Sequence, residues 1–180
     1  MQENLNDPIA LLRDMERRAR GESNSSTDVL ASGEVWRGIG FSVAGRRLVT
    51  SMADITEVMH CPKLARVPGA KSWLMGIANL RGALLPVVNL QGFLRGQPAV
   101  LDRDSRVLVI EQDEILSGLA VEEVFGVKHF LEDQRLPDAA ASQNWLSPYV
   151  VGSFSVNSEI WEVFDVHVLI GAPAFMQVAA

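Results

Sequence analysis

Arg81-Gly82 is where this sequence offers chemistry to a partner. The pair separates two apolar runs, Gly76–Leu80 and Ala83–Val88. Runs this short and this rich in branched residues read as strands. The break between them reads as a tight reversal, with Gly82 supplying the positive φ. A guanidinium at such a tip is a planar fork of donors, either held out for a partner or tied back to a nearby carboxylate. Other reactive residue types are present without the spacing that catalysis needs. His60 and Cys61 are adjacent, cannot easily aim at one ion, and have no second Cys or near His to complete a tetrahedral set. The lone Cys61 beside Pro62 reads as a small core residue. His129 and His167 are far apart and beside apolar positions. Glu122-Glu123, Asp113-Glu114 and Glu132-Asp133 are adjacent carboxylates at turns; they point apart and read as solvated rather than as an acid–base pair. Gly38-Ile39-Gly40 lacks a third glycine and opens a strand, and the chain has neither a P-loop nor a nucleophile elbow. The expectation is no catalytic residue, no metal site and no cofactor.

The elements that position Arg81 follow from local signals. Pro86 cannot donate to a ladder, so the second run reads as an edge strand or a bulge. Pro68-Gly69 marks a turn, and Lys71–Met75 is long enough for one helical turn carrying Trp73. Asn89 can cap a short helix over Leu90–Leu94, closed by Gly96 and Pro98. Before the motif, Ile39, Phe41 and Val43 alternate with Gly38, Gly40 and Ser42, and Ala44-Gly45 turns into Arg46–Thr50. Ser51–Met59 is ambiguous between helix and strand. After the motif come strands at Arg106–Gln112, Glu114–Val121 and around Val124–Phe130, where Gly126 suggests a bulge. Tyr149–Val156, Asn157-Ser158 and Glu159–Phe164 form a hairpin, and Asp165 caps a last helix through Ile170. Many short strands punctuated by Gly and Pro argue for barrels rather than a long-stranded sandwich. No internal repeat is visible.

GIANLRGALLPVVNLQGFL, carrying Gly76, Asn79, Arg81, Gly82, Pro86, Asn89 and Leu90, resembles the signature of CheW-type adaptor domains, and ITEVMHCPKLARVPGAKSWL is similar to that family's lead-in. The likeness extends from about Trp36 to Gly171. It implies an all-β fold with short helices, built as two packed five-stranded β-barrel subdomains. It implies a non-enzymatic adaptor between a CheA-like histidine kinase and the cytoplasmic tip of a methyl-accepting chemoreceptor. Within the family the likeness is to the branch serving type IV pilus twitching arrays. A flagellar chemotaxis adaptor is the alternative, and a small-molecule-binding β-barrel is another of a different class. Carried over residue by residue, the partner-binding set is Arg81, Gly82, Asn79, Ile55 and Glu57. Ile55 could equally be core, and Glu57 could pair with Arg81 itself. Asn89 stands where many members have Asp, which removes a negative charge.

The chain has 180 residues, net charge −6 and 48% hydrophobic residues. That suits a packed core and argues against a nucleic-acid footprint, which needs clustered positive charge. One cysteine excludes an internal disulfide and fits a reducing compartment. No apolar run approaches the roughly 20 residues of a membrane span, so a cytoplasmic protein is expected, touching membrane only through its receptor. Residues 1–34 read as a separate piece: Asp7-Pro8 starts an amphipathic helix with Ile9, Leu12, Met15 and Ala19 near one face, followed by a Ser-rich linker. Residues 35–171 form the main domain and 172–180 a C-terminal tail.

Overall fold

The computed structural model describes residues 35–112, 115–137 and 145–179. The expected N-terminal helix and linker lie outside them. Ten strands run in order: β1 (Val35–Val43), β2 (Arg46–Ser51), β3 (Glu57–Met59), β4 (Leu74–Leu80), β5 (Ala83–Asn89), β6 (Arg106–Gln112), β7 (Ile115–Val121), β8 (Glu123–Leu131), β9 (Val150–Val156) and β10 (Glu159–Phe164). Helix α1 (Leu90–Arg95) follows β5, and α2 (Val166–Gly171) and α3 (Pro173–Met176) follow β10. The strands form two five-stranded sheets, ordered β8-β1-β2-β10-β9 and β3-β6-β7-β5-β4.

A repeat hidden in the sequence emerges in this topology. β1–β2 and β6–β7 are antiparallel hairpins. Each is followed by a strand that crosses to the other sheet as its edge, β3 or β8, then by a second hairpin in that sheet and a short helix. The second strands of the hairpins meet in parallel, β2 with β10 and β5 with β7. Each half of the chain therefore supplies two strands to one sheet and three to the other.

The sheets curl without closing. No ladder joins β3 to β4 or β8 to β9, which corrects the expectation of closed barrels. Across each seam there is one isolated bridge, Ala65 to Ile77 in one sheet and Arg135 to Phe154 in the other. The segments between the edge strands supply single contacts where a full ladder would need matched extended runs.

Apolar side chains fill three spaces. Leu108, Ile110, Leu119 and Val121 join Ile39, Phe41, Val43, Leu48 and Phe164 in one large cluster shared by the sheets. On their opposite faces, Val107, Val109 and Ala120 pack with Leu85 and Val87. Val49, Phe130, Phe154 and Trp161 fill the other sheet's inner face. Burial on both faces explains why Val107–Ile110 reads as an unbroken apolar run. Gly40 is dictated by the third cluster: a Cβ there would lie 2.7 Å from the Trp161 ring.

Several local expectations change. Pro86 sits in β5, which is flanked by β4 and β7 and is not an edge. Pro86 pairs with Ile77, whose backbone N–H and C=O both bond Ala65, and the β7 ladder starts only at Val87. The missing N–H is thus never needed. Lys71–Leu74 is a single turn, with Leu74 N–H donating to Lys71 C=O at 3.0 Å, and β4 starts at Leu74. Cys61 is exposed, not core, and partial desolvation pushes its thiol pKa up. The Gly126 position does carry a register shift, opposite Gly40 and Phe41. The 172–180 segment contains α3, and Phe175 is buried against Trp73 and Phe93.

Candidate functional site

The β4–β5 turn has positive φ at both central residues, 52° at Arg81 and 92° at Gly82. Glycine therefore accounts for half of this turn, and the arginine is itself left-handed. Such a two-residue turn matches the right-handed twist of the strands it joins. Arg lacks the freedom of Gly or the local bonding of Asn, so its own conformation costs about 1–2 kcal/mol. Asn79 holds the turn: its Oδ1 accepts from Gly82 N–H at 2.9 Å.

The Arg81 side chain is 78% exposed and donates from Nη2 to Glu57 Oε2 at 2.9 Å. Glu57 is on β3 and Arg81 directly follows β4, the two strands being opposite edges of one sheet. They meet because the sheet curls, so the ion pair marks the rim of the open seam. Exposed Ala83 and Leu84 continue the tip, and Leu84 leaves 69% of its surface in water. The rim thus presents a cation, a carboxylate, an amide and an aliphatic side chain together. An exposed pair of this kind adds little stability.

Four of the five expected residues, Arg81, Gly82, Asn79 and Glu57, come together here. Ile55 does not join them fully: it is half-buried and packs against the shared core. Asn89 is 3% exposed, and its amide is taken up within the chain. Its Oδ1 accepts from Gly92 N–H at 2.9 Å, capping α1, and from Ala99 N–H at 3.1 Å, while Nδ2 donates to Ala99 C=O at 3.0 Å. The lost charge is therefore a matter of loop structure, since an aspartate could not make the third bond.

Two polar contacts escaped the sequence reading. Glu162 is 4% exposed and accepts from Arg46 Nε at 3.0 Å and Nη2 at 2.6 Å. Period-two alternation hid it, because a buried Glu looks like any outward polar residue. Glu122 accepts from Ala44 and Gly45 N–H at 3.0 and 3.2 Å, holding the β1–β2 turn. Among the described residues no group of His, Cys, Asp and Glu could hold a metal, and no helix is long and apolar enough to cross a membrane.

Intertwined five-stranded sheets with a displayed Arg-Gly turn define a class of protein. A CheW-like domain matches residues 37–174, and the chain belongs to that family. It is 38% identical over 175 residues to Protein PilI of Pseudomonas aeruginosa, covering 96% of both chains. It is 29% identical over 85 residues to chemotaxis protein CheW of Bacillus subtilis, covering 47% of this chain and 54% of that one. The scaffolding protein TtCheW from Thermoanaerobacter tengcongensis shares the fold, with TM-score 0.67, 22% identity, and coverage of 78% of this chain and 96% of that one.

Proposed function

We propose that this protein is a non-catalytic adaptor that couples a methyl-accepting chemoreceptor to a CheA-like histidine kinase in a type IV pilus pathway. The observation that carries the reading is Arg81, kept in a left-handed conformation and largely in water at the rim. Left-handed backbone alone carries no function, since Ala44 shares it; at Arg81 it comes with a 78% exposed guanidinium side chain paired to a carboxylate. Arg combines a packing stem with a planar head and is enriched at binding hot spots. Family membership and the extent of the likeness to PilI support the adaptor class. Asn79, Gly82 and Glu57 position the Arg81 head, and Leu84 supplies an apolar contact beside it.

The test is titration calorimetry against the kinase's own CheW-like regulatory domain, with wild type, Arg81→Ala and Arg81→Glu. Wild type binds at micromolar Kd, roughly −8 kcal/mol. Arg81→Ala loses about 2 kcal/mol, and Arg81→Glu loses more by adding repulsion. Both variants melt close to wild type, as surface substitutions do. Absence of binding by folded wild type removes the adaptor reading. Variants that fold and bind normally move the contact elsewhere. A deletion strain that loses twitching but keeps swimming supports the pilus pathway over the flagellar one.

A further inference from the structure

Between Glu57 and Asp102 the chain has no Asp or Glu, yet that stretch carries Lys63, Arg66, Lys71, Arg81 and Arg95. A protein of net charge −6 thus gathers positive charge into one continuous segment. Part of that segment forms a groove of about 480 Å³, lined by Arg66, Lys71 and Ser72 over Val67, Leu74 and Met75. The groove is distinct from the Arg81 rim, which none of its lining residues joins.

We infer that this groove docks an acidic, amphipathic segment of a protein partner. Among the described residues neither Arg66 nor Lys71 has an ion-pair partner, so both cations are free for a carboxylate. The apolar lining residues Val67, Leu74 and Met75 suit aliphatic side chains on the same segment. The wall is held before anything binds. Ala65 is bridged to Ile77 on β4, Ala70 to Ala179, and Lys71 N–H donates to Val178 C=O at 2.9 Å. A groove fixed at both ends loses little conformational freedom when it is filled. Unscreened cations in a protein that is otherwise acidic also steer an acidic partner to this face.

The test uses the full-length protein and a fluorescein-labelled peptide with glutamates and leucines at helical spacing, its lysine–leucine counterpart, and vesicles rich in phosphatidylserine. Fluorescence anisotropy shows the glutamate peptide binding and weakening steeply with salt, and the lysine peptide not binding. Arg66→Glu with Lys71→Glu weakens binding about tenfold or more. Arg103→Glu, a single charge reversal on an exposed loop, leaves it unaltered. If the double variant unfolds, Arg66→Gln with Lys71→Gln is read instead, with a smaller loss in the same direction. Equal binding of both peptides, or an unaltered affinity in the double variant, overturns the proposal. So does binding to the vesicles without binding to the glutamate peptide. No kinase is present in this assay, so its outcome is independent of the adaptor reading.

Discussion

Left-handed residues separate conformational preference from function. Ala44, at φ 52°, starts the β1–β2 turn just as Arg81 starts the β4–β5 turn. Ala44 has no side-chain hydrogen bond to lose, its methyl only packing at the edge of the shared core, and the Glu122 clamp bonds only backbone N–H groups. Ala44→Asn should therefore stabilise by about 1 kcal/mol in urea denaturation. Arg81→Asn relieves the same strain but loses the exposed pair with Glu57, so its gain is smaller, about 0–1 kcal/mol, while kinase binding falls. A destabilised Arg81→Asn would make the arginine a structural tie. Asn89 gives the opposite sign. Asn89→Asp should cost about 1–3 kcal/mol, because Ala99 C=O loses its donor and a carboxylate replaces a buried amide. An unchanged denaturation midpoint would show that the Ala99 loop does not depend on that bond.

Elements are locked together by polar groups at their junctions. The Arg46–Glu162 pair joins β2 to β10, where the ladder is parallel and only two residue pairs long. Its two ends are unequal, since the Arg46 side chain is 39% exposed and that of Glu162 only 5%. Arg46→Ala strands a buried carboxylate, whereas Glu162→Gln leaves a guanidinium that can turn to water. Arg46→Ala should therefore be the more destabilising, by about 1–3 kcal/mol against less for Glu162→Gln. Equal losses in thermal melts would show that the carboxylate reaches water in the variant.

At the scale of the whole molecule, the crossing of β3 and β8 makes the two halves interdependent. Neither half holds a complete sheet, and the shared cluster draws on both. A cut in the exposed loop after Gly96 should leave two fragments, each without a cooperative thermal transition. Mixed, they should regain one transition, since every sheet is then complete. Cooperative melting of either fragment alone would mean that the sheets are separable folding units. Parallel pairing between distant strands also places the slow, non-local contacts between halves rather than within hairpins.

Sequence alone determined the hairpins, the two helix caps at Asn89 and Asp165, and the Arg81-Gly82 reversal, because these depend on neighbours in the chain. Turn residues, period-two alternation and capping side chains act over a few positions and leave readable marks. It also carried the signature from Gly76 to Leu90. Tertiary structure decided what depends on residues far apart. Which sheet β3 and β8 join, why Pro86 is tolerated inside a sheet, and why Glu162 is buried all follow from partners across the fold. The pairing of Arg81 with Glu57 was offered by the sequence as one alternative among others. Only the curl that brings Arg81 Nη2 within 2.9 Å of Glu57 Oε2 on the opposite sheet edge selects it, since no local periodicity encodes the distance between two edges.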